Sequence, residues 1–171
     1  MMKTSRLSLA LALLLLSACG FRPVYGTHTT EDGVSVSSDL NSVAIDSIAD
    51  RNGQMLRNDL IDRMYGKNRP AQPLYTLTVK VTSSEQDLGI LANATSTRSM
   101  LNMYGDFVLT DEFGKTVLKG SAHSVASFDL LDQMYATVAS REDANERTIH
   151  EVGEQIVNRV SLYFSERKKQ Q

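Results

Sequence analysis

The strongest constraint on the fold is a change of hydrophobic period midway along the chain. From Gly53 to Tyr65, apolar residues recur every three or four positions, which indicates an amphipathic helix. From Tyr75 to Thr82, apolar and polar residues alternate, which indicates a strand with one buried and one solvated face. The same alternation returns over residues 94–110 and 116–128, so three strands are expected after the helix.

Local signals indicate where these elements begin and end. Asn52 is the predicted N-cap of the helix and Gly66 its left-handed C-cap. Pro70 and Pro73 then prevent the helix from continuing. The first long strand loses its alternation around residues 88–93, which predicts a turn or a bulge there.

The sequence also predicts the turn that connects the last two strands, and the long helix that follows the last strand. Residues 111–115 predict a hairpin turn whose glycine is Gly114. The strand after it carries small residues on its apolar face, which would let a helix pack close to the sheet. An apolar stripe from Ile149 to Tyr163 predicts a helix over Arg141–Arg167, about 40 Å long. Residues 140–143 resemble a capping box and predict its start.

The order of elements predicts the fold class. A short strand around Val43–Ile48 precedes the first helix, so the order is strand, helix, three strands, helix. This predicts an α+β, two-layer sandwich: about four mostly antiparallel strands in a mixed sheet, with two helices packed on one face. The first two strands are joined through a helix and are expected to be parallel. The other face of the sheet is rich in Thr, Ser and Asn, and is either solvated or presented to a partner.

The amino terminus carries a segment of a different kind, which ends at the only cysteine, Cys19. Two basic residues precede an apolar run, Leu7–Leu16, which is the layout of a secretory signal. The run is too short to span a bilayer as a helix, which takes about 20 residues. The sequence Leu16-Ser17-Ala18-Cys19 resembles the lipobox of bacterial lipoprotein precursors. That resemblance implies that residues 1–18 are removed and that Cys19 is acylated, by palmitate or a similar chain.

These observations divide the chain into three parts. Residues 1–18 are the predicted lipoprotein signal peptide, residues 19–38 the lipidated N-terminus and flexible tether, and residues 39–171 a single domain. Two or more acyl chains on Cys19 would make a stable membrane anchor. A disulfide within the chain is excluded because no second cysteine exists, so packing must hold the domain together.

Signals for catalysis, cofactors, metals and nucleic acid are absent from the sequence. There are 18 basic and 20 acidic residues, a balance unlike that of nucleic-acid-binding domains. No nucleophile elbow, phosphate-binding loop or dinucleotide fingerprint occurs. The histidines, His28, His123 and His150, are far apart in sequence, and the latter two are expected on solvated faces. Basic residues 167–169 are explained by the negative end of the helix dipole. We therefore expect no enzyme, no cofactor and no metal site.

Two stretches resemble a known family, the LptE lipopolysaccharide-assembly lipoproteins of Gram-negative bacteria. Cys19-Gly20-Phe21-Arg22-Pro23-Val24-Tyr25-Gly26 is similar to the start of the mature proteins. Residues 127–129, 135–139 and 143–147 resemble the last strand and last helix of the alphaproteobacterial members. The resemblance implies a lipid-anchored protein on the periplasmic face of the outer membrane. Gly20 fits this location, because lipoproteins that stay in the inner membrane typically carry Asp at that position. There it would plug the β-barrel LptD, help that barrel assemble, and assist delivery of lipopolysaccharide to the outer leaflet.

Two questions stay open at this level. Lipopolysaccharide is a possible direct ligand, and Arg98, Lys115 and Lys119, on or near the predicted hairpin, are candidate contacts for its phosphates. The alternative function is that of another outer-membrane lipoprotein, either a pilotin-like chaperone for a secretin or a structural envelope lipoprotein. Co-purification with a barrel of LptD type would separate these functions.

The lipobox makes a direct prediction. Cys19→Ser removes the only thiol that can be acylated, so the variant is expected to accumulate as an unprocessed precursor. Mass spectrometry of the membrane fraction measures both the retained residues 1–18 and the missing acyl chains. Normal processing and membrane attachment of this variant would contradict the prediction.

Overall fold

Two helices and four strands form an α+β sandwich in the part of the chain that the structure, a computed structural model, describes. The described residues are 39–65, 70, 72–90, 96–131 and 133–169. In chain order, the elements are β1 (Val43–Ile45), α1 (Asp50–Met64), β2 (Tyr75–Ile90), β3 (Ser96–Asp111), β4 (Thr116–Asp129) and α2 (Met134–Lys169). Both helices pack against the sheet, which confirms the predicted fold class.

The four strands form one mixed sheet in the order β1-β2-β3-β4. The short β1 runs parallel to β2, with Val43 opposite Tyr75, as the helical connection predicted. β2 and β3, of 16 residues each, form a long antiparallel ladder that begins with Tyr75 opposite Asp111. β4 pairs antiparallel with the other edge of β3. A turn or bulge was expected over residues 88–93. For residues 88–90 this prediction is wrong, because β2 continues to Ile90, and residues 91–95 lie outside the described chain.

All large buried side chains of the sheet lie on the side that faces the helices. Alternate residues of β2, β3 and β4 meet the apolar stripes of α1 and α2, since side chains in a strand alternate between faces. The principal core consists of Leu40, Val43, Ile45, Ile48, Leu56, Leu60, Ile61, Met64, Leu77, Val79, Met103, Phe107, Leu109, Ala122, Ile149, Val152, Ile156, Val157, Val160 and Phe164. A smaller cluster of Leu101, Phe128 and Ala144 extends it toward the start of α2.

Gly105, in the middle of β3, sets how closely α2 approaches the sheet. A Cβ atom at this position would lie 2.8 Å from Cγ1 of Val152 and 3.3 Å from Cδ1 of Ile156. Both partners are fully buried, so neither has room to withdraw. On β4, Ala122 and Ser124 are buried beneath the same helix, which confirms the expectation that small residues permit close packing.

The predicted helix starts are wrong, for reasons that involve residues beyond the local motif. α1 begins at Asp50 after Ala49, so Asn52 lies inside its first turn and accepts a hydrogen bond of 2.9 Å from Asn145. α2 begins at Met134 rather than at the capping-box-like residues 140–143. The Thr137 hydroxyl bonds back to the backbone of residue 131 at 2.9 and 3.0 Å, which stabilises this earlier first turn.

Other local predictions have different outcomes. β1 ends at Ile45, and Ile48 is buried without belonging to the strand. The predicted C-cap, Gly66, lies outside the described residues. The hairpin turn at residues 111–115 is confirmed, and Gly114 has the positive φ of 76° for which glycine is suited.

The close approach at Gly105 predicts a stability effect. Gly105→Ala is expected to lower the free energy of unfolding by about 1–3 kcal/mol, because the new methyl group overlaps Val152. Denaturant titration measures the loss, and Ser121→Ala on the exposed side of β4 is the matched control, with a change within about 0.5 kcal/mol. In the double variant with Val152→Ala, the two losses are expected to be less than additive by about 1 kcal/mol. Strict additivity would contradict the packing argument.

Candidate functional site

The face of the sheet turned away from the helices is covered by no described element. We call it the outer sheet face. Its exposed residues include Thr78, Lys80, Thr82 and Ser84 on β2, Tyr104 and Asp106 on β3, and Lys119, Ser121, His123, Val125 and Ser127 on β4. Hydroxyl groups predominate and charges of both signs are present. Such a surface can form many hydrogen bonds but buries little apolar area.

An aromatic pair lies in the middle of the outer sheet face. The rings of Tyr104 and His123, which are register partners on β3 and β4, stack with centroids 4.3 Å apart and planes at 14°. Thr82 is the register partner of Tyr104 on β2, so the three side chains form one row across the sheet. His123 is exposed, as the sequence predicted, and it contacts an aromatic ring rather than a catalytic partner.

The free edge of β4 is partly closed by a side chain of α2. The Gln155 side chain accepts a hydrogen bond from the His123 backbone N–H at 3.2 Å and donates one to the His123 carbonyl at 2.9 Å. The amide thus occupies the place that a neighbouring strand would take. This blocks pairing with another strand at that point of the edge.

A polar cleft of about 360 Å³ lies between the start of α1, the middle of β2 and α2. Arg141 pairs with Glu85 at 3.1 Å, and Arg51 pairs with Glu142 at 2.5 Å. The guanidinium of Arg141 also lies 5.4 Å from the centroid of the Phe128 ring. These ion pairs link α2 to β2 and to α1. Because the charges that line the cleft are paired with one another, it presents no unpaired charge to a substrate.

A second polar cluster joins the two helices. Asp59, whose side chain is buried, contacts His150 Nδ1 at 2.5 Å and Arg63 Nε at 2.7 Å. His150 is exposed, as predicted from its place off the apolar stripe. Among the residues that the structure describes, no group of three or more His, Cys, Asp or Glu side chains is placed to bind a metal ion.

Arg98 is not brought together with the other two candidate phosphate contacts. Lys115 belongs to the hairpin turn, and Lys119 lies on the outer sheet face opposite Val108. Arg98 is at the other end of β3, roughly 40 Å from the turn at 3.3 Å per residue, and forms an ion pair of 3.2 Å with Asp129. The expectation that Arg98 lies near the hairpin is therefore wrong. Cys19 lies outside the described residues.

Exposed apolar side chains occur at both ends of the sheet. At the hairpin end, Phe113 is 86% exposed and lines a depression of about 380 Å³. Burial, and to a smaller extent the Asp111 carboxylate, raise the pKa of Tyr163 in this depression above its ordinary 10.0. At the opposite end, Met134 and Tyr135 are 82% and 92% exposed.

Sequence reasoning missed the second of these groups, although a signal for it was present. Residues 131, 134, 135 and 138 continue helical spacing toward the N-terminus of α2, and all four are exposed and apolar. They were overlooked because the helix was expected to begin at the capping-box-like residues.

No described helix is both long enough and apolar enough to cross a bilayer.

Comparisons with known proteins give a consistent result. The family model LptE, described as lipopolysaccharide-assembly, matches residues 40–160. A protein from Caulobacter crescentus, solved as a candidate lipoprotein, is 26% identical with a TM-score of 0.63, over 77% of this chain and 96% of that one. No curated protein sequence matches this chain.

Two more distant structures share the fold. Rare lipoprotein B from Shewanella oneidensis is 11% identical with a TM-score of 0.57, over 75% of this chain and 98% of that one. A minor lipoprotein from Acinetobacter baumannii is 18% identical with a TM-score of 0.56, over 71% and 92%. At these identities, the comparison concerns the fold alone.

The contact between Gln155 and β4 predicts a local exchange effect. Gln155→Ala is expected to speed hydrogen exchange of the His123 amide by roughly fivefold, the factor for a hydrogen bond worth about 1 kcal/mol. The amides of Ala122 and Ser124 point toward β3 by strand alternation and are the internal control. Unchanged exchange at His123, or equal acceleration at all three amides, would contradict a specific edge contact.

Proposed function

This chain belongs to the LptE family of lipopolysaccharide-assembly lipoproteins, and from that premise we propose that it is the lumenal plug of an LptD-type β-barrel. In this role it is anchored through Cys19 to the periplasmic leaflet of the outer membrane. It helps the barrel to assemble and assists delivery of lipopolysaccharide to the outer leaflet. The family match over residues 40–160 is the observation that carries the proposal.

The chemistry of the outer sheet face supports this role. The lumen of a membrane β-barrel is polar, so a plug needs a surface that forms hydrogen bonds rather than an apolar one. Thr82 on β2, Tyr104 on β3 and Ser121 on β4 provide exposed hydroxyl groups across three strands of this face. An interface of this kind is wet, and bridging waters provide much of its hydrogen bonding.

The dimensions of the domain favour a wide barrel. Four strands spaced about 4.8 Å apart, with helices about 10 Å above them, have a cross-section of roughly 20–25 Å. Barrels of about eight strands are filled by their own side chains, whereas those of 16 strands or more leave room in the lumen. The domain therefore requires a barrel of the larger class.

The role is proposed to be non-enzymatic. The charged groups of the polar cleft are engaged with one another, as in the pairs of Arg141 with Glu85 and Arg51 with Glu142. Arg98 and Lys115 are too far apart to hold the same phosphate group. The contribution to lipopolysaccharide delivery then comes from the position of the plug in the barrel rather than from a preformed phosphate site.

The plug proposal predicts a specific complex. A tagged chain solubilised from outer membranes is expected to recover one LptD-type barrel in a one-to-one ratio. Photo-crosslinking groups at Ser121 on the outer sheet face and at Glu154 on the exposed side of α2 are both expected to give barrel adducts, because a lumen encloses its plug. A strain that lacks the barrel is the control for nonspecific adducts.

The other outcomes separate the alternatives. Recovery with a secretin ring indicates a pilotin-like chaperone, and recovery without any partner indicates a structural envelope lipoprotein. Barrel adducts from Ser121 but not from Glu154 would support a complex with the barrel and contradict the plug role. The barrel would then contact only one face of the domain.

A further inference from the structure

The first described residues, the hairpin turn and the end of α2 meet at one end of the domain. Asp39 pairs with Lys168 of α2 at 2.6 Å, and the Ser42 carbonyl accepts hydrogen bonds from the N–H groups of Leu74 and Tyr75 at 2.9 and 3.2 Å. Tyr75 in turn lies opposite Asp111, where the hairpin begins. The first described residue, Asp39, therefore lies at the hairpin end of the sheet, and the chain enters the domain there.

Apolar groups are exposed at this end. Phe113 at the tip of the hairpin is 86% exposed and Leu74 is 51% exposed, and both line the same depression as Tyr163. Large side chains exposed together, with polar groups around them, mark contact surfaces rather than ordinary protein surface. We call this group the tether-end surface, defined by Leu74, Phe113, Tyr163, Arg167 and Lys169.

The hairpin turn holds Phe113 in place. One carboxylate oxygen of Asp111 accepts hydrogen bonds from the backbone N–H groups of Phe113 at 3.0 Å and Lys115 at 2.9 Å. The glycine conformation at residue 114 completes the turn. A fixed turn loses little conformational entropy when its exposed ring enters another medium.

The charges around the ring are of both signs. Arg167 and Lys169 at the end of α2 are exposed, and the Arg167 guanidinium lies 5.8 Å from the centroid of the Tyr75 ring. Asp111 and Glu112 line the same depression as Arg167 and offset its charge. Such a surface suits a lipid interface, where apolar and aromatic groups enter below the headgroups and cations stay level with them. It does not suit a partner held by charge alone.

We infer that, before the domain enters the barrel, its tether-end surface rests on the membrane that holds the Cys19 anchor, with Phe113 inserted among the lipid headgroups. This inference depends on the lipidation in the proposed function. Residues 20–38 can span at most roughly 65 Å, so the anchor confines the domain near the bilayer without setting its orientation. Confinement raises the effective concentration of the surface at the membrane, so a weak apolar contact is enough to orient the domain.

The opposite end of the domain provides an internal comparison. Tyr135 is as exposed as Phe113, at 92%, and is also aromatic. It lies beyond the far ends of β3 and β4, and the length of β2 places the two ends roughly 50 Å apart. A domain that stands on its tether-end surface therefore keeps Tyr135 away from the bilayer.

Tryptophan fluorescence tests the orientation without background, because the chain contains no tryptophan. Phe113→Trp and Tyr135→Trp are each prepared as mature acylated protein in vesicles of phosphatidylethanolamine and phosphatidylglycerol that carry brominated acyl chains. Emission at position 113 is expected to shift to the blue and to lose roughly half its intensity, since interfacial side chains sit about 5–10 Å into the headgroup and acyl boundary. Emission at position 135 is expected to remain unquenched.

The outcomes distinguish the inference from its premise. Protein that floats with the vesicles but is unquenched at position 113, or is quenched equally at both positions, overturns the orientation and leaves the anchor intact. Protein that does not float overturns the anchor and the orientation together. The final check adds Phe113→Ser to the anchored Tyr135→Trp chain. Without Phe113 the domain loses its fixed orientation, so quenching of the tryptophan emission at position 135 is expected to rise. Unchanged emission at that position would contradict a role of Phe113 in the orientation.

Discussion

The fold depends on the contact of one long helix with the middle of the sheet. At Gly105 the absence of a side chain brings Val152 and Ile156 against the backbone of β3, and the rest of the core closes around this point. A methyl group there would overlap Val152 and force a local shift of that side chain or of the helix backbone that carries it. The apolar area of all four strands is buried on this single side, so the described sheet needs no second layer of helices.

One-sided burial separates stability from recognition. Core side chains such as Phe107 and Val152 hold the domain together, whereas Tyr104, Ser121 and His123 contribute to the opposite surface without supporting the core. The exposed ion pairs of the polar cleft are each worth little in stability; one links α2 to β2 and the other links α2 to α1. A polar surface on a rigid sheet is what a lumenal plug requires, because the barrel wall that it meets is also polar.

The length of the sheet gives the domain two distinct ends. The chain enters beside the hairpin, where Asp39 contacts Lys168, and the N-terminus of α2 lies at the far end of the ladder. Exposed apolar groups at both ends would be a liability for a freely diffusing protein. The antiparallel ladder of β2 and β3 keeps these two ends apart.

The sequence by itself determined the features that depend on neighbouring residues. Hydrophobic period identified each helix and strand, alternation identified the buried face of the sheet, and Asp111 with Gly114 specified the hairpin. The lipobox at Cys19 is likewise a local motif and remains a statement of the sequence alone.

Tertiary structure alone decided what depends on residues distant in sequence. It extended α2 to Met134, gave Asn52 a partner on the other helix, stacked Tyr104 on His123, and separated Arg98 from Lys115 by most of the sheet. These outcomes follow from strand register and helix docking, which no single stretch of the chain encodes.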